Sequence, residues 1–296
     1  MKLIVTLTIL LSGYPVLAQT ASEIHLFDLN HHQGSITLTN PRNISQHPGY
    51  DNQPFFHPEQ RIIFYSSFNQ DGRSDLRSYD IATRQARNFT ETDEREYSPT
   101  VTPDGKFLSC ILQRDNEAQD LVKYPLNPFW YAITGGPPIV LIDSLKIGYH
   151  TWINQNELLL FVLGEPMTLR HFNMISGEDR ILAQNIGRSL HRIPGQEKMS
   201  FIQKSENEQN WKIMSYDPVS HELETLLPTL PGREDLTWTP DGKILMSDGE
   251  NVFLHDPACP EKPTWARVAM SNTKLRGITR MTVSPDGKLL ALVAEE

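Results

Sequence analysis

The sequence is poor in several features, and each shortage excludes a class of function. It has two cysteines in 296 residues, too few for a disulfide framework or a cysteine-only zinc site. Cys110 falls in the apolar run 107–112, where a buried free thiol is expected. Cys259 falls in a proline-rich loop. Basic residues are outnumbered, 27 Lys and Arg against 36 Asp and Glu, and they form no cluster. Phosphate contacts need such clusters, so a general nucleic-acid binder is excluded. Past the N-terminus no apolar run approaches the ~20 residues of a membrane-spanning helix. There is no Gly-x-Ser-x-Gly elbow, no His-Glu-x-x-His motif and no glycine-rich phosphate loop. Hydrophobic residues still make up 39%, enough for a packed core.

Residues 1–18 read as a secretory signal peptide. Lys2 supplies a positive charge, Leu3 to Leu11 an apolar run, and Val16-Leu17-Ala18 a cleavage site before Gln19. Because residue 19 is not Cys, lipidation there is not expected. The mature chain is expected to be periplasmic or secreted, monomeric, and a single domain over residues 19–296.

What the sequence does have is a repeat. Thr102-Pro103-Asp104-Gly105-Lys106 returns as Thr239-Pro240-Asp241-Gly242-Lys243 and as Ser284-Pro285-Asp286-Gly287-Lys288. Pro fixes a turn, Asp caps it and Gly takes the left-handed position, so each reads as a hairpin between two strands. Degenerate copies sit at His57-Pro58, Ile153-Asn154 and Ile193-Pro194. The anchors at 58, 103, 154, 194, 240 and 285 recur about every 45 residues, giving six copies. An aromatic or His before Asp or Asn recurs between anchors, at Tyr79-Asp80, Phe172-Asn173, Tyr216-Asp217 and His255-Asp256. It marks the end of a third strand, with a fourth to follow. The prediction is an all-β, six-bladed propeller with four-stranded blades. The last copy ends after its second strand, and Ile24–Asp28 opens as a third strand. Residues 23–39 are therefore expected to complete the last blade. Two stacked sandwich domains would predict no such complementarity of the termini.

Phe68-Asn69-Gln70-Asp71-Gly72-Arg73-Ser74-Asp75-Leu76, the run Tyr79-Asp80-Ile81-Ala82-Thr83 and the Pro-Asp-Gly-Lys turns together resemble the repeat of the TolB propeller family. The resemblance spans roughly residues 23–296. It implies a periplasmic binding propeller that docks an envelope protein, such as a peptidoglycan-associated lipoprotein. That family also has an α/β domain before the propeller. Only about 40 residues precede the first anchor here after the signal peptide, and they are needed as strands, so a TolB-like binding role is expected rather than a strict TolB role.

Candidate contact residues lie where the chain enters the innermost strand of each blade: Asp51, Glu96, Tyr97, Arg188, Glu234 and Asp235. Their types differ between blades, so packing does not dictate them; solvated loop charge is the competing reading. His150 and His191, on innermost strands of neighbouring blades, are placed to approach one another near the channel. Packing histidines and metal ligands are both open for them. His31-His32 sit in a turn, where solvated loop histidines are expected and a metal role is the alternative. Asp71-Gly72 with Asp75 has the short oxygen spacing of calcium sites, though a hydrogen-bonded turn explains it as well. No cofactor is expected, with calcium or another divalent cation as the alternative. Trp130 and Tyr131, in the long stretch 124–138, are either partner anchors or packing under the loop. Trp152 and Trp238, each two residues before an anchor, are expected in the inter-blade core with Phe56, Val101 and Val283. The leading function is a protein-binding or scaffold module at the cell envelope. Charge reversal at Glu96, Glu234 and Asp235 is expected to weaken docking without unfolding the ring. The alternatives are a propeller enzyme or binding protein acting on a sugar, lactone or polyuronate, and a glycan-binding module built around Trp130.

Overall fold

The computed structural model describes residues 21–32, 35–126, 137–259, 264–271 and 274–296. The segment read as a signal peptide and the pair Trp130 and Tyr131 lie outside the described residues. No helix among the described residues is long and apolar enough to cross a membrane.

The repeated turn sets the blade. Thr102 Oγ1 donates to Asp104 Oδ1 at 2.6 Å, and Gly105, at φ 69°, turns the chain so that its N–H meets Thr102 O at 2.9 Å. The same bonds recur at Thr239 and Asp241, 2.5 Å apart, and at Ser284 and Asp286, 2.6 Å apart. The hydroxyl before each Pro thus joins the Asp in capping the turn, a second side-chain acceptor beside the backbone bonds. Each turn returns the chain antiparallel. At the far end of three of the third strands, Asp80, Asn173 and Asp217 accept two backbone N–H bonds apiece from the turn that follows. These bonds also hold the Asp80 and Asp217 carboxyls below the usual range.

Six blades result. The first holds Asp51–Phe56, Ile62–Phe68, Ser74–Asp80 and Gln85–Asn88. The second holds Arg95–Val101, Phe107–Gln113, Gln119–Pro125 and Ile139–Ile142, and the third Ile147–Trp152, Glu157–Val162, Thr168–Asn173 and Asp179–Gln184. The fourth is His191–Arg192, Met199–Gln203, Lys212–Tyr216 and Leu223–Pro228, and the fifth Leu236–Trp238, Ile244–Ser247, Val252–His255 and Ala266–Arg267. The sixth joins the two ends of the chain. Met281–Val283 and Leu289–Glu295 are its inner strands, and Ser22–His32 and Ser35–Asn43 its outer ones. Ser22 pairs with Glu295 and Asp28 with Leu289, in unbroken register. The N-terminal closure read from the sequence is what the structure shows, with strands longer than expected. The short strand Ala269–Met270 adds a fifth, parallel member beside Ser35–Asn43.

The core is divided among the six gaps between blades. Ile63 and Tyr65 of the first blade pack on Ile24 and Val293 of the sixth, and Leu245 of the fifth packs on Leu290 of the sixth. Four further clusters fill the remaining gaps. Burying this apolar surface is the main source of stability, at roughly 25 cal/mol per Å². Trp152 joins the cluster between blades two and three, and Trp238 packs on the one between blades four and five. Both indoles keep a partner. Trp152 Nε1 donates to Ser109 Oγ, and Trp238 Nε1 to Ser200 Oγ, each at 2.9 Å and each onto the second strand of the preceding blade.

Candidate functional site

The innermost strands run in one direction around the axis, so their N-terminal ends meet at one mouth. They enclose a channel of about 370 Å³. The residue five before each anchor lines it in every blade: Gln53, Ser98, Tyr149, Ser189, Asp235 and Arg280. All six are polar, and no two neighbours are alike.

Two members of this ring sit on strained backbone. Gln53 at φ 58° and Ser98 at φ 55° are left-handed without being glycine. Both lie where the pairing of first and second strands shifts register, between Asn52 and Phe55 and between Tyr97 and Thr100. Gln53 Oε1 ties the two bulges together, accepting from Ser98 N at 2.7 Å and Ser66 Oγ at 3.0 Å. Such backbone conformations cost ~1–3 kcal/mol and cluster at functional sites.

Arg188 and Asp235 form a bidentate pair, with Nε to Oδ1 at 3.1 Å and an Nη to Oδ2 at 2.8 Å. Burial raises the Asp235 carboxyl, but the Arg188 charge and its hydrogen bonds, with Arg280 beyond, hold it below the usual range. Glu234 stands at the rim, 3.5 Å from Arg188 and 2.5 Å from Lys204. Arg280, on the sixth blade, reaches across the axis to the third. It donates to Tyr149 Oη at 2.6 Å and lies 4.7 Å from the centre of that ring. Tyr97 is half-buried with its ring edge-on to Tyr50, 6.4 Å away. Burial pushes the Tyr50 phenol up, with Arg280 and Arg188 close enough to oppose the shift.

The two channel histidines turn to serines, not to each other. Ser109 Oγ accepts from Trp152 and donates to Thr100 O at 2.9 Å. His150 Nε2, 2.8 Å from that oxygen, is then the donor. Its Nδ1 is left buried with no partner among the described residues. His191 Nε2 lies 2.9 Å from Ser189 Oγ, which accepts the Leu236 N–H at 3.1 Å. Burial pushes His150 down to about 3 and His191 to about 4, so both are neutral at pH 7.

The structure therefore brings four of the eight candidates, His150, Arg188, His191 and Asp235, to the channel wall, with Tyr97 and Glu234 at its rim. It corrects the other two. Asp51 and Glu96 are 0% exposed and lie between strands rather than at the mouth. Glu96 Oε1 accepts from Thr92 Oγ1 at 2.5 Å and Tyr124 Oη at 2.9 Å, and Oε2 from Thr90 Oγ1 at 3.3 Å. Neither Asp51 oxygen has a well-formed hydrogen bond among the described residues, the Ser67 hydroxyl acting on it from nearby. Burial raises both carboxyls to about 7. Charge reversal at Glu96 thus buries a charge, so the triple variant is expected to unfold rather than stay folded. Sequence reasoning missed Tyr149 and Arg280. Counting five residues back from anchors 154 and 285 would have found them.

The loop 69–75 is a hydrogen-bonded turn. Asn69 Oδ1 accepts from Asp71 N and Arg73 N, both at 3.0 Å, and Asp75 accepts from Asn69 Nδ2 at 2.9 Å and Thr92 N at 3.2 Å. Asp115 and Asp120 pair with Arg95 and Arg114. Both His31 and His32 are exposed, and His31 Nε2 lies 3.2 Å from Gly287 O. Among the described residues no three His, Cys, Asp or Glu side chains are grouped to hold a metal ion.

The raised carboxyls set a pH dependence. An acid with a raised folded pKa binds more protons folded than unfolded, so stability falls as pH climbs from its unfolded value through about 7. The lowered histidines, His150 and His191 with His25, His57 and His171, act in the opposite sense, their share of stability rising as pH climbs through about 6.5. Between pH 6.5 and 8.5 the two trends oppose each other, so the carboxyl contribution is read as a difference, with Asp51 costing the wild type about 1 kcal/mol over this range. Thermal melts across this range should show the wild type losing stability relative to Asp51→Asn. Parallel slopes would refute the assignment.

Neither the family models nor the curated proteins give a match to this sequence. Solved structures do. A TolB candidate from Agrobacterium tumefaciens superposes with a TM-score of 0.68 at 16% identity, over 94% of this chain and 99% of that one. TolB from Acinetobacter baumannii gives 0.56 at 15% identity over 93% of this chain, which spans only 64% of that longer one. An oligogalacturonate lyase in complex with manganese gives 0.58 at 15% identity, over 88% and 83%. At these identities the likeness is one of fold: the six-bladed propeller of TolB proteins.

Proposed function

We propose that this chain is an exported, TolB-like propeller that serves as a protein-binding or scaffold module at the cell envelope. It would dock a segment of an envelope protein on the channel mouth. The observation that carries this reading is the ring at the fifth residue before each anchor. Six polar side chains of five types, no two neighbours alike, surround a channel near which Tyr50 and Tyr97 pack edge to edge, and tyrosines are enriched at protein contacts. Arg188 is paired with Asp235, and each histidine bonds a serine through its Nε2. Histidines held at about 3 and 4 are poorly matched to general acid–base work near pH 7. This supports binding over turnover of a sugar, lactone or polyuronate. A peptidoglycan-associated lipoprotein is the partner that the TolB resemblance suggests.

The test places a photo-crosslinking residue at Tyr97, on the rim, and separately at Lys106, an exposed position in a turn at the opposite end. Irradiation in the native envelope should give one discrete protein adduct from position 97 and none from 106. No adduct at 97, or the same adducts at both, would remove the docking proposal.

A further inference from the structure

Among the charged side chains of the channel, Arg280 stands apart. Arg188 is saturated by Asp235 and Glu234. Arg280 lines the same cavity, yet among the described residues no carboxylate lies within ion-pair distance of it. Its one polar contact there is to a neutral phenol, Tyr149 Oη. A guanidinium offers five donors in a fixed fork and never deprotonates in proteins. Holding one half-buried without a counter-charge is costly unless something supplies the charge.

The charge balance of the channel points the same way. Asp235 is paired with Arg188 and acts on Arg280 only from farther off, Arg192 is paired with Glu197 and the histidines are neutral, so Arg280 leaves the cavity with one net positive charge. The protein around it has a formal charge of −9. Against that overall negative charge a positive focus attracts an anion locally, and low-dielectric walls strengthen the attraction. Tyr149 completes the geometry. Its oxygen accepts from Arg280, so its own proton is free to be donated to an anion beside the guanidinium. The pair spans the axis from the sixth blade to the third, in the path of any group descending from the mouth.

We infer that the channel is a receptor for a carboxylate, with Arg280 as its charged donor and Tyr149 as a second donor opposite. On the proposed function, on which this inference rests, the carboxylate belongs to an acidic side chain or free C-terminus of the docked segment. A uronate sugar presents the same chemistry and is separated by experiment.

The probes are N-acetyl-Glu-Glu, its uncharged N-acetyl-Gln-Gln amide, and digalacturonate, titrated calorimetrically into the wild-type protein, Arg280→Gln, Arg280→Lys and Arg233→Gln. Arg233 is exposed and lies outside the channel. The expected result is binding of the acidic dipeptide, weakened by salt. It should fall tenfold or more in Arg280→Gln, recover in part in Arg280→Lys and stay unchanged in Arg233→Gln, with no binding of the amide. Binding of digalacturonate alone, with the same dependence on Arg280, would uphold the carboxylate site and overturn its protein source. Binding of neither acid, or affinity indifferent to Arg280→Gln, would overturn the inference, whereas the Tyr97 adduct tests docking separately. Should Arg280→Gln fail to fold, side-chain nitrogen resonances of the wild type titrated with acetate decide the matter. The Arg280 signal should move and the Arg188 signal should not; a static Arg280 signal would overturn the site.

Discussion

Glu96→Lys is expected to unfold the ring at neutral pH. The side chain is fully buried, and three hydroxyls donate to it, from Thr90, Thr92 and Tyr124. A lysine accepts none of these bonds and puts an unpaired ammonium where a carboxyl, raised to about 7 by burial, had accepted them. Burying an uncompensated charge costs about 5 kcal/mol, comparable with the whole stability of a typical domain. Glu96→Gln keeps an acceptor and should cost only about 1–2 kcal/mol. Urea titration and gel filtration separate the two. If the lysine variant melted within a few degrees of wild type, the side chain would have to leave the interior, and the burial described above would be wrong.

The second large effect is at the channel. Asp235→Asn removes the bidentate partner of Arg188 and leaves only Glu234, at 3.5 Å, to balance the guanidinium. Breaking such a pair from one side costs more than removing both members, because the survivor keeps its desolvation penalty. We expect a loss of about 3 kcal/mol for Asp235→Asn and recovery of most of it in Arg188→Met with Asp235→Leu. The measurement is a double-mutant cycle in urea. Additive losses would show the pair to be independent in energy despite its geometry.

The fold was legible because one turn is repeated nearly verbatim. Thr-Pro-Asp-Gly-Lys marks the same bend three times, and the aromatic before Asp80 and Asp217 marks another. Both devices act within a few residues, so sequence alone reports them. The closure was legible for the complementary reason, since Ile24 to Asp28 looks like a third strand lacking a second. The site was less so. Glu96 and Tyr97 are adjacent, and one points between strands while the other reaches the rim. Period-two alternation would give that result, but it does not say which face is which. The bulges at Gln53 and Ser98 then shift the alternation, and neither residue is the glycine that would announce a left-handed backbone. Arg280 and Tyr149 are ordinary in sequence. They matter because blades six and three stand opposite each other, a fact that belongs to the ring and not to any repeat.

The closing strand also governs the order in which the molecule can form. Five blades are built from consecutive hairpins, whose contacts are local and form early. Ser22–His32 instead meets Leu289–Glu295 across more than 250 residues of chain. The loop-closure entropy of that pairing must be met before its contacts give anything back. The sixth blade is therefore expected to be the last to assemble. Before that pairing forms, one edge of Ser22–His32, which carries Ile24, Leu26 and Phe27, has no partner strand.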